Sequence, residues 1–117
     1  MIEIMEDQFK DRFNEVARNV HKTAVEKGWW PENPQDRNQG EAIALMHSEL
    51  SEGLEALRKN LNSDHIPEFK GIEEELADTV IRIMDFSQAF NLRIAEAIIA
   101  KIEYNKHRAY KHGGKKF

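Results

Sequence analysis

The chain has 117 residues, of which 32% are charged, with a formal net charge of −4 and no cysteine. This length suits a single domain over residues 1–117, the lack of cysteine excludes disulfide and thiol chemistry, and the acidic balance disfavours nucleic acid as the main partner. The charged start MIEIMEDQFKDRF lacks the apolar run of a signal peptide, and no segment approaches the roughly 20 apolar residues that span a bilayer. We therefore expect a cytoplasmic protein without a membrane partner.

The apolar spacing predicts helices and no strand of any length. The first helix is expected to end at Gly28, and it carries apolar residues at i, i+4 and i+7 intervals. These are Met5, Phe9, Phe13, Val16, Val20 and Ala24. A loop with two prolines, GWWPENPQDRNQG, follows. The second helix is expected from about Glu41 to Leu61. Its predicted core stripe is Ile43, Met46, Leu50, Leu54, Leu57 and Leu61.

The segment NSDHIP is typical of a turn followed by a helix start, with Ser63 or Asp64 as the cap. The third helix should reach about Phe90 and be largely buried, since most of its faces are apolar. The fourth should run from about Leu92 to Arg108, followed by a flexible basic tail at residues 109–117. The predicted fold is all-α, a helical bundle of about four helices.

Two acid pairs stand out against this pattern. Glu49 and Glu52 on the second helix fall outside both the apolar stripe and the wet face, among small and apolar residues. The third helix repeats the arrangement, because ELAD at 75–78 matches ELSE at 49–52. Glu75 and Asp78 take the same two angular positions, and Arg82 shares their flank. Ordinary solubilising charge explains neither pair well.

The two pairs are also expected at the same level. They are equally distant from the predicted turn at residues 63–64, and in an antiparallel hairpin such residues lie side by side. Four clustered carboxylates repel one another unless a cation binds them. Oxygen ligands without Cys or His favour a hard ion, Mg²⁺ or Mn²⁺. A di-iron site is disfavoured because no His has a Glu three residues before it.

The fourth helix and the tryptophan pair supply candidate substrate contacts. Lys101, Asn105 and Arg108 continue the apolar stripe of the fourth helix and could contact phosphate oxygens. Alternatively, the two cations are ordinary charges at a helix C-terminus. Trp29 and Trp30 could stack on a base, with Trp30 as the candidate, or could pack the end of the first helix against the bundle.

Three segments carry a resemblance to a known family. SELSEGLEALRK, EEELADTVIRIMDF and KIEYNKHRAYKHGGKKF resemble the MazG-like all-α nucleoside triphosphate pyrophosphohydrolases, over roughly residues 40–117. The superfamily includes dimeric dUTPases, dCTP pyrophosphatases and phosphoribosyl-ATP pyrophosphohydrolase. Many members begin the first acidic motif with Glu-Glu, whereas Ser48 precedes Glu49 here.

The resemblance implies Mg²⁺-dependent cleavage of a nucleoside triphosphate to the monophosphate and pyrophosphate. It implies that the metal ligands are Glu49, Glu52, Glu75 and Asp78, and that Lys101 and Asn105 contact phosphate. Glu52 is then a candidate to orient or deprotonate a water molecule. We also expect a homodimer or a tetramer of dimers that completes the site, since the third helix is too apolar for one short chain to cover. The alternatives are a non-catalytic nucleotide- and metal-binding helical oligomer with a regulatory role, and a structural bundle without metal.

Overall fold

The computed structural model describes residues 2–108, and the side chains of residues 5–108. This part of the chain forms four α-helices: α1 at Ile2–Glu26, α2 at Gln39–Lys59, α3 at Gly71–Ala89 and α4 at Ile94–Lys106. A short 3-10 turn at Pro34–Asp36 lies between α1 and α2. The all-α prediction is confirmed for these residues, and the predicted tail at 109–117 lies outside them. Within the described segment, no helix is both long and apolar enough to cross a membrane.

The chain forms two compact units. The first combines the start of α1, through Asn14, with the segment from Arg93 that contains α4. In it, Asn14 Nδ2 donates a hydrogen bond to Glu96 Oε1 over 3.4 Å. The second unit, Glu15–Leu92, contains the rest of α1 together with α2 and α3, and it carries the acid pairs. The assignment of residues 1–117 to a single domain stays a prediction.

The ends of α1 and α2 follow from local chemistry. The backbone of Gly28 has a φ of +83°, which glycine adopts at little cost, and this residue terminates α1 as predicted. Asn38 caps α2, because its Oδ1 accepts a hydrogen bond from the backbone nitrogen of Glu41 over 3.0 Å. Asn60 closes α2 in the left-handed region. The predicted bounds of these helices therefore differ from the observed ones by about a turn at most.

The start of α3 corrects the sequence prediction. Neither Ser63 nor Asp64 caps this helix, because α3 begins only at Gly71. Ser63 is buried, and its Oγ accepts hydrogen bonds from the backbone nitrogens of His65 and Ile66 over 3.2 Å and 3.0 Å. Its hydroxyl thus stabilises the loop before the helix. The start of α3 is held instead by Glu73, whose Oε1 accepts a hydrogen bond from the backbone nitrogen of Lys70 over 3.0 Å.

Small residues hold α2 and α3 close together. A methyl group added to Gly71 would lie 2.8 Å from Cβ of Ala56, and one added to Gly53 would lie 3.3 Å from Cβ of Glu75. Both pairs are centred on residues 63–64, so the predicted antiparallel register of the hairpin is confirmed. The close approach is possible because glycine and alanine leave room for the facing helix.

The apolar stripe predicted to be the core face of α2 is not buried within a single chain. Leu50, Leu54 and Leu57 are 46%, 60% and 62% exposed, whereas the flank that faces α3 is buried. The buried residues of α2 are Ala42, Glu49, Gly53 and Ala56. Within a single chain, α3 is not largely buried either, since Leu76 and Val80 are 48% and 46% exposed. The physical reason is that the close helix contact uses the small-residue flank and turns the leucines outward.

Candidate metal centre

The α2–α3 hairpin brings three carboxylates together. Glu49 of α2 and Glu75 and Asp78 of α3 each offer an oxygen, and these atoms lie within 4.8 Å of one another. Glu49 is buried at 9% exposure, although a charged side chain is rarely buried unless it is paired. Gly53 makes this arrangement possible, because its missing side chain admits Glu75 against α2. Three of the four predicted metal ligands therefore converge, and we call them the carboxylate triad.

Glu52, the fourth predicted ligand and the candidate base, is exposed and lies outside this triad. Its carboxyl group is still close enough to form a hydrogen bond with Glu75 that helps to raise the pKa of Glu75. Glu52 also lines a second cavity, on which Glu55, Asp64 and Glu74 lie as well. Its predicted catalytic role stays a prediction.

The triad carries more negative charge than its surroundings stabilise. The hydrogen bond with Glu49, burial and the neighbouring Glu52 raise the pKa of Glu75 to about 8. Burial and the charge of Glu49 raise the pKa of Asp78 as well. One buried oxygen, Glu75 Oε2, has no hydrogen-bond partner among the described residues. Because a buried oxygen without a partner costs free energy, a cation bound by these groups would relieve both the repulsion and the unpaired atom.

Arg82 supplies a positive charge at the triad. Its Nε donates a hydrogen bond to Glu49 Oε1 over 3.1 Å, and one terminal nitrogen forms an ion pair with the same oxygen at 3.1 Å. The hydrogen bond from Glu75 and the Arg82 guanidinium hold the pKa of Glu49 below its usual value. Arg82 was not among the predicted site residues, although it shares the flank of Glu75 and Asp78 on α3. Helical phase was therefore the signal that could have identified it.

A cavity of about 320 Å³ adjoins the triad. Glu49, Asp78 and Arg82 line it together with Asp85, Arg37 and the exposed Trp29. A volume near 300 Å³ is at the lower end for ligand pockets in proteins. The arrangement can hold a divalent cation at its acidic part and place a ligand of mixed polar and aromatic character beside it.

Asp85 is fixed in this cavity by two donors. Trp30 Nε1 lies 2.9 Å from both carboxylate oxygens of Asp85, and His21 Nδ1 lies 2.8 Å from Oδ1. The Arg37 guanidinium stacks over the Trp30 ring at 4.2 Å. No local sequence pattern pointed to this cluster, because its members come from α1, the following loop and α3.

The two tryptophans differ in their surroundings. Trp30 is 8% exposed, with its ring against His21 and Phe90. Trp29 is 68% exposed and lines the cavity. These positions favour Trp29 over Trp30 as the indole that meets a ligand, and the predicted ligand contact of Trp30 stays untested.

The predicted phosphate contacts lie on the other compact unit. Lys101 and Asn105 belong to α4, Arg108 follows its end, and all three side chains are exposed. The Nζ atom of Lys101 lies 4.3 Å from the ring centroid of Tyr104. Their contact with phosphate stays a prediction.

Comparison of the chain with protein-family models, with curated proteins and with solved structures found no match.

Proposed function

We propose that the protein is a Mg²⁺-dependent nucleoside triphosphate pyrophosphohydrolase that converts a (d)NTP and water into the (d)NMP and pyrophosphate. The observation that carries the proposal is the convergence of Glu49, Glu75 and Asp78 beside a cavity of about 320 Å³. The resemblance of the three sequence segments to MazG-like enzymes supports the same reaction. Mn²⁺ is expected to replace Mg²⁺, since both ions prefer oxygen ligands.

The residues of the triad fit a hard divalent cation. All the ligand atoms are carboxylate oxygens, and the buried Glu75 Oε2 has no hydrogen-bond partner among residues 5–108. Mg²⁺ is usually bound by a few carboxylates and completes its coordination with water and substrate phosphates. When bound, the ion would neutralise the phosphate charge and lower the pKa of a coordinated water.

In the proposed reaction, Glu52 is the base that takes a proton from the attacking water. Glu52 is exposed beside Glu75, so solvent water reaches its carboxyl group. The water oxygen forms a bond to phosphorus, and the phosphoanhydride bond between the α and β phosphates breaks. Lys101, Asn105 and Arg108 would hold the phosphates, so that pyrophosphate leaves with its charge compensated.

A homo-oligomer, either a dimer or a tetramer of dimers, is part of this proposal. Among the described residues, none of the large side chains is fully buried, and the buried apolar residues are Ala17, Trp30, Ala42, Ala56 and Ala95. A row of half-exposed apolar side chains instead covers the outer face of the hairpin. It comprises Leu50, Leu54, Leu57, Leu61, Leu76 and Val80. Single apolar residues scattered over a surface are ordinary, whereas six grouped on one face suit contact with a second copy of the chain.

The proposed oligomer is tested by measuring the molar mass of the protein in solution by light scattering at micromolar concentration. The wild type is expected at twice or four times the monomer mass, and Leu54→Glu is expected to shift it towards the monomer because it places a charge in the interface. A monomeric wild type would refute the oligomer.

The reaction is tested by product analysis. The protein is incubated with Mg²⁺ and a panel of standard and modified (d)NTPs, and nucleotides and pyrophosphate are separated by anion-exchange chromatography. We expect equal amounts of monophosphate and pyrophosphate, lost without the metal. Glu52→Gln should lower the rate at least about 100-fold, because general bases contribute that much. Glu55→Gln, on the same helix, is the control. Nucleotide binding without products would instead indicate a regulatory module, and diphosphate with orthophosphate would refute the proposed bond cleavage.

A further inference from the structure

The cavity beside the triad extends along α3. Asp78, Arg82 and Asp85 all line it, and their spacing of i, i+4 and i+7 places them on one face of the helix. At 1.5 Å per residue, Asp85 lies about 10 Å beyond Asp78 along the helix axis. A ligand whose phosphates meet a cation at the triad would therefore direct its remaining part towards Asp85.

The walls of this extension suit a flat ring. Val20 and Ala24 of α1 and Ile81 of α3 contribute apolar surface, and the exposed indole of Trp29 lies beside them. Stacking between an aromatic side chain and a nucleic-acid base is tolerant of base identity, so Trp29 would bind a base without selecting it. Selection must come from a polar group in the cavity.

Asp85 is the polar group best placed for selection. An ionised carboxylate only accepts hydrogen bonds and has about four acceptor positions. His21 and Trp30 donate to it, while the nearest Arg37 nitrogen lies 3.9 Å away, beyond hydrogen-bond distance. An acceptor position on Asp85 is thus left for a ligand. The two donors also hold the carboxylate in place, so it cannot rotate to suit a different ligand.

We propose that the cavity is the base-binding part of the same site and that Asp85 selects bases carrying an amino group over their keto counterparts. This inference rests on the proposed function. An amino group donates a hydrogen bond to the carboxylate, as in adenine or cytosine. A keto oxygen at the same position, as in uracil or hypoxanthine, faces another acceptor and loses that bond. A purely structural Asp85, which anchors the loop to α1, predicts no such difference.

Binding of paired analogues tests the inference without turnover. The α,β-methylene analogues of CTP and UTP, and of ATP and ITP, resist cleavage between the α and β phosphates. Their affinities for the full chain are measured with Mg²⁺ by calorimetry. We expect the amino member of each pair to bind about tenfold or more tightly, the usual range for a hydrogen bond to a charged group. Equal affinities within both pairs, or a keto preference, would overturn the inference.

Asp85→Asn and Ile81→Trp test whether the amino preference arises at Asp85 and in this cavity, and Asp36→Asn is the control. Asp85→Asn keeps an acceptor for His21 and Trp30 but adds a donor, so the preference should vanish or reverse. Asp36→Asn, an exposed change on the 3-10 turn outside the cavity, should keep it. Ile81→Trp fills the cavity from a half-exposed position and should weaken every analogue about tenfold without changing Mn²⁺ affinity. An amino preference that survives in Asp85→Asn, or analogue binding that survives in Ile81→Trp, refutes the assignment.

The two proposals fail in different ways. Amino-selective binding of analogues without hydrolysis of any triphosphate would reject the reaction and keep the base site. Hydrolysis of amino and keto substrates with equal kcat/KM would keep the reaction and reject the role of Asp85.

Discussion

Gly53→Ala should weaken metal binding while leaving the fold largely intact. The added Cβ would lie 3.0 Å from Cδ1 of Ile72 and 3.3 Å from Cβ of Glu75. Ordinary carbon contacts are about 3.5–4.0 Å, so Glu75 must move by a few tenths of an ångström, whereas the end of the Ile72 side chain can rotate away. Alanine gains about 1 kcal/mol of helix propensity over glycine, and crowding costs about 1–3 kcal/mol. The net loss of stability should be about 1 kcal/mol.

The displacement of Glu75 should lower the affinity for the metal more than it lowers the stability of the fold. Mg²⁺ demands near-ideal octahedral geometry, and changes that shift a ligand through its support commonly cost tenfold or more in affinity. We expect about tenfold weaker Mg²⁺ binding for Gly53→Ala in a calorimetric titration, with thermal unfolding followed by circular dichroism. Gly40→Ala is the matched control, because its nearest contact is an ordinary 3.4 Å to Asn38 Oδ1. Unchanged Mg²⁺ affinity in Gly53→Ala would refute the role of the close helix contact.

Glu75 has a pKa raised from 4.5 to about 8, so between these values the folded metal-free protein retains a proton that the unfolded chain releases. The free energy of unfolding of the metal-free protein should therefore fall as the pH rises from 4.5 to about 8. Over the same range the affinity for Mg²⁺ should rise, because the ion binds the ionised carboxylate. Denaturant titrations at several pH values should show no such fall in stability for Glu75→Gln. Arg82→Gln should lower the free energy of unfolding of the metal-free protein by about 1 kcal/mol, because Glu49 loses its charge partner. Saturating Mg²⁺ should make this loss smaller. Equal losses of stability with and without Mg²⁺ would contradict the expectation. Trp30→Phe should cost about 1–3 kcal/mol in urea unfolding because Asp85 loses a donor, whereas Trp29→Phe should stay within about 0.5 kcal/mol of wild type. Equal effects of the two tryptophan changes would refute the assigned contacts.

Helical phase and symmetry about the turn predicted four converging carboxylates, of which Glu49, Glu75 and Asp78 converge and Glu52 does not. The 3.6-residue period separates Glu49 from the wet face of α2, and the equal spacing from residues 63–64 places Glu75 and Asp78 at its level. These relations depend only on backbone geometry and on the hairpin, which the close contact of Gly71 with Ala56 bears out. They do not depend on which side chains form the core.

Helical phase could not predict which faces of α2 and α3 pack together, nor the contacts of Asp85. Phase shows which residues share a face, but it does not show which face meets the neighbouring helix. Here the small residues at 53, 56 and 71 decided that, and the leucine stripe was left outward. The contacts of Asp85 with His21 and Trp30 join residues 64 and 55 positions apart, so no local spacing marks them.

The central claim is that the carboxylate triad binds a divalent cation, and Mn²⁺ binding measured by electron paramagnetic resonance without nucleotide tests it most directly. Glu55→Gln is the matched control, because Glu55 lies on α2 but pairs with Arg58 and Lys59 at the surface. We predict saturable binding by the wild type and by Glu55→Gln, and at least about tenfold weaker binding by Glu75→Gln, since the ion loses one of three ligands. Equal Mn²⁺ affinity of Glu75→Gln and the wild type would contradict the claim.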